Sequence, residues 1–300
     1  MTTLDTLNRQ FAIPGHLGFI EGPGGMPVAR IRNALANCDI ALQGAHVLTW
    51  QPASEEPVIW LSTQAKFAPG KSVRGGIPVC WPWFGNHETE PDFPAHGFAR
   101  TAMWNVASSE ALADGLTRIT FELAQTDATR AQWPYPCEAR YTVTVGRQLT
   151  LELQTRNTGD QPFRITEALH TYFDIGDIGN LQVTGLSRSV YLDKLEAFKP
   201  KRQHGEVEIT CEVDRVYVNT ENECVIEDRA RQRRIHVAKQ GGRSTVVWNP
   251  WIAKSEKMGD MGENGYRRMV CVESANANVN FVDIGPGGMH CLKVVYGVER

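Results

Sequence analysis

In Thr117–Leu123, Tyr141–Val145 and Leu149–Thr155 the chain changes sides at every residue, and this alternation constrains its fold more than any other feature. Thr117, Ile119, Phe121 and Leu123 fall on one side of an extended chain, and Arg118, Thr120 and Glu122 on the other. A period of two is what a strand with one buried face requires. Tyr141–Val145 and Leu149–Thr155 repeat the pattern around Gly146-Arg147-Gln148, which predicts a hairpin. Val207–Val213, Arg234–Ala238, Thr245–Trp248, Met269–Glu273 and Met289–Tyr296 read as further strands. Turn clusters at Asn157-Thr158-Gly159-Asp160, Gly241-Gly242 and Gly285-Pro286-Gly287-Gly288 separate several of them. Helical periodicity is scarce: Ala253–Met261 reads as one short helix and Ser108–Asp114 as a second. Many strands with little helix predict an all-β fold, a large antiparallel β-sandwich with few short helices. With no repeat, low-complexity tract or linker in sight, residues 1–300 are expected to form a single domain.

Charge and cysteine usage narrow the function classes. A formal net charge of −3 argues against nucleic acid or an anionic membrane as partner, because both select a basic surface. The seven cysteines are scattered and form no Cys-x-x-Cys, so reduced thiols are the simpler reading. The N-terminus lacks a basic region followed by an apolar run, and no stretch approaches the roughly 20 apolar residues of a membrane span. These features predict a cytoplasmic protein.

Eight histidines in a β-rich chain invite a metal reading. There is no His-x-His, no His-Glu-x-x-His and no zinc-like Cys/His spacing, and Glu167-Ala168-Leu169-His170 is an isolated match to a di-iron fragment. No resident metal is expected. Pro69-Gly70-Lys71-Ser72 ends like a phosphate-binding loop, but Ala65 stands where its first glycine belongs. The run Arg229, Arg231, Arg233, Arg234 reads as a solvated hairpin tip. Cys80 and Cys271, among apolar neighbours, read as buried structural thiols rather than nucleophiles.

Three segments do not alternate: Val73–Gly85, Pro94–Trp104 and Val247–Met258, all rich in Gly, Pro, Trp and charged residues. Either they close the ends of the sandwich or they line a site. Rings beside charges suit a sugar, whose apolar faces stack while its hydroxyls take polar partners. Two titratable groups stand out. His170 follows a strand-like run, and Glu273 ends the apolar Met269–Glu273, where a carboxylate is costly to bury unless it is paired or used. Arg74 precedes Gly75-Gly76, and His96 precedes Gly97, so the backbone can approach a ligand at both places.

The segments VRGGIPVCWPWFG, PAHGFAR, EALHTYFDIGD, VDRVYVN, VVWNPW and MVCVESA, in this order from Val73 to Ala275, resemble the hexose-6-phosphate mutarotase branch of the aldose 1-epimerase family. The resemblance implies a galactose mutarotase-like sandwich with its site in a concave face. It implies His170 as general acid and Glu273 as general base. It places His96 and Asp214 on sugar hydroxyls or the ring oxygen, Trp248 in the sugar site, and Arg74 and Arg100 on a phosphate. One position departs: some relatives carry glutamine just before the histidine of HGFAR, where this chain has Ala95, so a hydrogen bond to the substrate is either missing or supplied from elsewhere.

The function so implied is exchange of α and β anomers of a hexose 6-phosphate, by a monomer, with a small sugar phosphate as partner and no cofactor. Apolar surroundings oppose an ionised Glu273, so a hydrogen-bond donor or cation is expected beside it. Besides a lyase or isomerase using the same sandwich on a different carbohydrate acid, which fold alone leaves open, two alternatives stand. One is action on unphosphorylated aldoses, which turns on whether Arg74 and Arg100 converge. The other is a non-catalytic carbohydrate-binding protein, favoured if His170 and Glu273 lie too far apart to serve one sugar ring.

Overall fold

The alternating segments pair into two large antiparallel sheets. The structure, a computed structural model, describes residues 3–300. One eight-stranded sheet runs in the order Leu181–Thr184, Cys224–Asp228, Arg233–Gln240, Met289–Glu299, Leu149–Asn157, Cys137–Val145, Thr117–Leu123, Trp104–Ala111. We call it the back sheet. Val145 pairs with Leu149 across the expected turn. Thr117, Ile119, Phe121 and Leu123 are the buried face of their strand.

The second eight-stranded sheet carries the chemistry. Its order is Lys199–Arg202, Val190–Asp193, Val213–Val218, Ser244–Asn249, Met269–Asn276, Glu167–Leu169, Val79–Cys80, with Tyr172–Asp174 also paired to Met269–Asn276. Met269–Asn276 is buried on both faces along its whole length. Because side chains alternate, Val270 and Val272 enter the large core between the sheets while Met269 and Cys271 enter a small cluster with Trp60, Tyr172 and Trp248 on the other face. Glu273 therefore points away from the main core. A four-stranded sheet of Leu17–Glu21, Pro27–Arg32, Ala36–Ala41 and His46–Pro52 and a pair formed by Phe163–Ile165 and Val282–Ile284 complete the strands named here.

Two secondary-structure expectations change. Ser108–Asp114 is no helix; its first half ends the strand Trp104–Ala111, with Ser109 opposite Ile119 and Glu110 opposite Arg118. This is the outermost strand of the back sheet, exposed along most of its length, so its sequence carries little alternation. Val207–Val213 is mostly loop. Val207 makes one bridge to Val183, and the strand begins only at Val213. Val207 and Ile209 are buried all the same, and their burial produced the strand-like pattern. The α-helices among the described residues are Leu4–Phe11, Asp127–Gln132 and Trp251–Met258, the last overlapping the predicted one. Thr3 caps the first, and Thr126 and Thr129 cap the second reciprocally.

The arginine run is a hairpin tip, but only part of it is solvated. Arg233 is fully buried against Asp228 at 3.2 Å, and its fork also donates to the carbonyls of Glu56, Pro57 and Asp174. Arg231 pairs with Glu56 and Asp174. These arginines pin the tip to the loop at 56–57 and to the strand that follows His170. Removing one member of a buried pair strands the other, at a typical cost of about 3–5 kcal/mol. Arg233→Met is expected to lose about that much stability by urea unfolding, whereas the exposed Arg234→Met should change it by under about 0.5 kcal/mol.

Candidate active site

The strand beside Met269–Asn276 breaks where His170 stands. Leu169 pairs with Ser274 and Tyr172 with Cys271, so His170 and Thr171 face Val272 and Glu273 across an interrupted ladder. The His170 amide donates instead to the Pro78 carbonyl at 3.0 Å, and the Thr171 amide turns back to Leu169. Freed from the ladder, the imidazole comes to 3.4 Å from Glu273, Nε2 to Oε1.

Rings hold that imidazole in place. It stacks on Tyr172 at 5.0 Å and 11°, and Tyr172 stacks on Trp60 at 5.8 Å and 20°. Trp248 meets both His170 and Tyr172 edge-on. The Tyr172 hydroxyl accepts from Arg74 Nη1 at 3.0 Å, and Arg74 Nε donates to Asp260 at 3.0 Å. Gly75 follows with φ +102°, and a Cβ there would lie 2.6 Å from the Trp60 carbonyl. Glycine is what lets this arginine segment run against the Trp60 backbone.

His96 reaches the site through strained backbone. Its φ is +68°, uncommon for a side-chain-bearing residue. Its amide donates to Gly85 O at 2.6 Å, and its ring lies 5.8 Å from His170. Gly97 follows at φ +72°, where a Cβ would collide with the Trp81 carbonyl. Arg100, from the same segment, donates Nη2 to the carbonyl of Ala95 at 2.7 Å.

One cavity of about 230 Å³ gathers all seven sequence candidates: His170, Glu273, Arg74, His96, Arg100, Asp214 and Trp248. All three non-alternating segments contribute to its wall. Arg74 and Arg100 thus face one space. Sequence reasoning missed Lys194, Lys254, Phe84 and Ser72, which also line it. Lys194 lies in a single helical turn, Lys194–Glu196, capped by Asp193, and pairs with Asp214 at 3.0 Å. Lys254 projects from the helix Trp251–Met258 toward Glu212. Phe84 and Ser72 fell in or beside a segment already marked as unusual. Lys194 sits in an ordinary lysine-rich hairpin, where nothing local sets it apart.

The charges oppose one another's ionisation. Burial holds the Glu273 carboxyl well above its usual range; Lys194 pulls it down and Asp214 pushes it up. A cation does stand near Glu273, as its burial demanded, but desolvation outweighs it. Burial likewise drives His170 well below 6.5, helped by His96, Arg100 and Arg74. His96 falls to about 3, again chiefly through burial and then through Arg100 and Lys194. Burial therefore disfavours both charged forms, the imidazolium and the carboxylate.

Comparison with known proteins matches residues 27–296 to the family described as aldose 1-epimerase. A proposed glucose-6-phosphate 1-epimerase of Escherichia coli K12 is 42% identical over 239 residues, 79% of each chain. Another from Cenchrus ciliaris is 34% identical over 272 residues, 85% of this chain and 80% of that one. The crystal structure of a proposed mutarotase from Salmonella typhimurium superposes with a TM-score of 0.90 at 34% identity, over 97% of this chain and 96% of that one.

In the free protein, His170 and His96 should both remain neutral from pH 7 down to pH 5. Imidazole NMR, assigned through His170→Gln and His96→Gln, would read this directly. Titration of either ring near its ordinary 6.5 would contradict the arrangement described.

Proposed function

The chain belongs to the aldose 1-epimerase family, and from that premise we propose that it interconverts the α and β anomers of hexose 6-phosphates, glucose 6-phosphate first among them. The observation that carries the reading is the His170–Glu273 pair at 3.4 Å, facing a cavity that two arginines share. Anomer exchange breaks the C1–O5 bond, lets the freed aldehyde rotate and closes the ring again. The C1 hydroxyl must lose a proton as O5 gains one. Both oxygens are bonded to the same carbon, so an acid and a base a few ångströms apart can serve them together.

Glu273 takes the proton from the C1 hydroxyl and His170 gives one to O5; on reclosure the roles reverse. A bound sugar favours the charged forms this needs. The C1 hydroxyl donates to the carboxylate and O5 accepts from the imidazolium, and a hydrogen bond to a charged form stabilises that form. In this reading one proton serves the pair, and it then moves from Glu273 to His170. No proton is consumed over a full cycle, and the reaction needs no cofactor.

The remaining residues orient the ring. Asp214 and His96 take sugar hydroxyls, and Trp248 presents a ring to an apolar sugar face. Arg100 and Arg74 attract the phosphate, which fixes C1 between the catalytic groups. Arg74 is already tied to Asp260 and Tyr172, so it enters the phosphate site oriented. Ala95 contributes its carbonyl, which aims Arg100. Lys194 acts through charge, lowering both carboxyls that face it. We propose that it acts as a monomer. The main core cluster runs from Leu7 to Tyr296, which supports one domain over 1–300. No described helix is long and apolar enough to cross a membrane. We place the protein in the cytoplasm, where sugar phosphates are held.

Glu273→Gln and His170→Ala should each lower kcat for glucose 6-phosphate by roughly 10²–10⁴-fold, read by polarimetry or exchange NMR; near-normal rates would refute the assignment. Arg100→Ala should raise KM for the phosphorylated sugar while leaving turnover of free glucose at its own lower level. Faster turnover of glucose than of glucose 6-phosphate by the unsubstituted protein would overturn the phosphate reading. In Lys194→Gln the Glu273 carboxyl loses its nearby cation and rises further, so the alkaline limb of the kcat/KM profile, where the pair loses its one proton, should move to higher pH.

A further inference from the structure

The acid/base pair has a third neighbour that proton transfer leaves unused. Cys271 lies two residues from Glu273 on the same face of the same strand, fully buried among Trp60, Tyr172, Trp248 and Met269. The sulfur, a His170 ring nitrogen and a Glu273 oxygen all lie within 4.8 Å of one another. Glu273 Oε2 and His170 Nδ1 are buried with no hydrogen-bond partner. In sequence, His170 is about a hundred residues from the other two, which is why no zinc-like spacing was visible.

We propose that His170, Cys271 and Glu273 form a binding site for a thiophilic divalent cation of the zinc class, and that filling it blocks the sugar reaction. The blocking rests on the function proposed above; the binding does not. One nitrogen, one sulfur and one oxygen are the donors such an ion takes, and three protein ligands leave a fourth position for solvent from the cavity. Zinc bonds of about 2.0–2.3 Å require the three atoms to draw together slightly. The His170–Glu273 edge is already at 3.4 Å.

Charge balance favours the ion over the protons it replaces. Zinc binds thiolate and carboxylate, so it displaces the protons these two groups carry when neutral. The dication then meets one thiolate, one carboxylate and one neutral imidazole, so the buried cluster carries no net charge. Lys194 and Arg74 stand near, but Asp214 and Asp260 neutralise them. Hard ions such as magnesium prefer all-oxygen shells and should not compete.

Cadmium and zinc titrations of the full chain test this. One cadmium per chain should produce a thiolate charge-transfer band that Cys271→Ala abolishes. Cys211→Ala, which removes the one exposed cysteine, should leave it intact. By calorimetry, zinc affinity should fall in Cys271→Ala by more than the roughly 10–100-fold typical of losing an outer-shell partner. Glu273→Gln, which keeps every sulfur, should also weaken it. Cys271→Ala should keep its mutarotation and lose zinc inhibition. A band that survives Cys271→Ala, or zinc affinity indifferent to both substitutions, would overturn the proposal. Zinc binding through Cys271 in a protein that turned over no aldose would sustain the site and refute the function.

Discussion

A carboxylate with 1% exposure, on a strand buried on both faces, is the constraint around which the rest of the molecule is arranged. An unpaired ion there costs several kcal/mol even after relaxation. Nothing in the strand itself relieves that cost, since its neighbours are Val272, Ser274 and Cys271. Relief comes from other elements: an imidazole released by a broken ladder, a lysine on a single helical turn, and an aspartate that holds the lysine. None of them cancels the desolvation, which holds the carboxyl well above its usual range. The sandwich contributes stiffness. With the back sheet packed behind it, the strand cannot bend to expose Glu273, and the pair keeps its spacing.

The arginines and the imidazole are linked more closely than their separate roles suggest. Asp260 holds Arg74, Arg74 holds the Tyr172 hydroxyl, and the Tyr172 ring lies flat on His170. The group proposed to meet the phosphate and the group proposed to protonate the ring oxygen are thus joined through one tyrosine. Tyr172 was quoted in the sequence only as part of a motif, yet it is the piece that couples the anion end of the cavity to the reacting end.

Local pattern carried much of the sandwich because alternation is imposed by burial, and burial is nearly the same along each inner strand. It failed where burial and pairing part company. Val207 and Ile209 are buried without a ladder, and Trp104–Ala111 has a ladder with little burial. The site was legible for a different reason. Strand pairing cannot explain Gly, Trp, Arg and His crowded into Val73–Gly85 and Pro94–Trp104, so those segments stood out against the alternation. Arg233 was misjudged as solvated because a hairpin tip folding back on a distant loop leaves no local trace. Lys194 was missed for the same reason, while Lys254 lay inside the marked segment Val247–Met258 without being singled out. Their importance comes from Asp214 and from the cavity, which only folding brings near them.

His96 owes its position to main-chain geometry more than to its own side chain. Its left-handed backbone, the glycine that follows, and the Trp81 carbonyl pressed against that glycine are parts of one fit. None of the three can be exchanged alone without displacing the ring. Under mutation the segment should behave as an indivisible block, inherited whole or lost whole, while the alternating strands around it drift residue by residue.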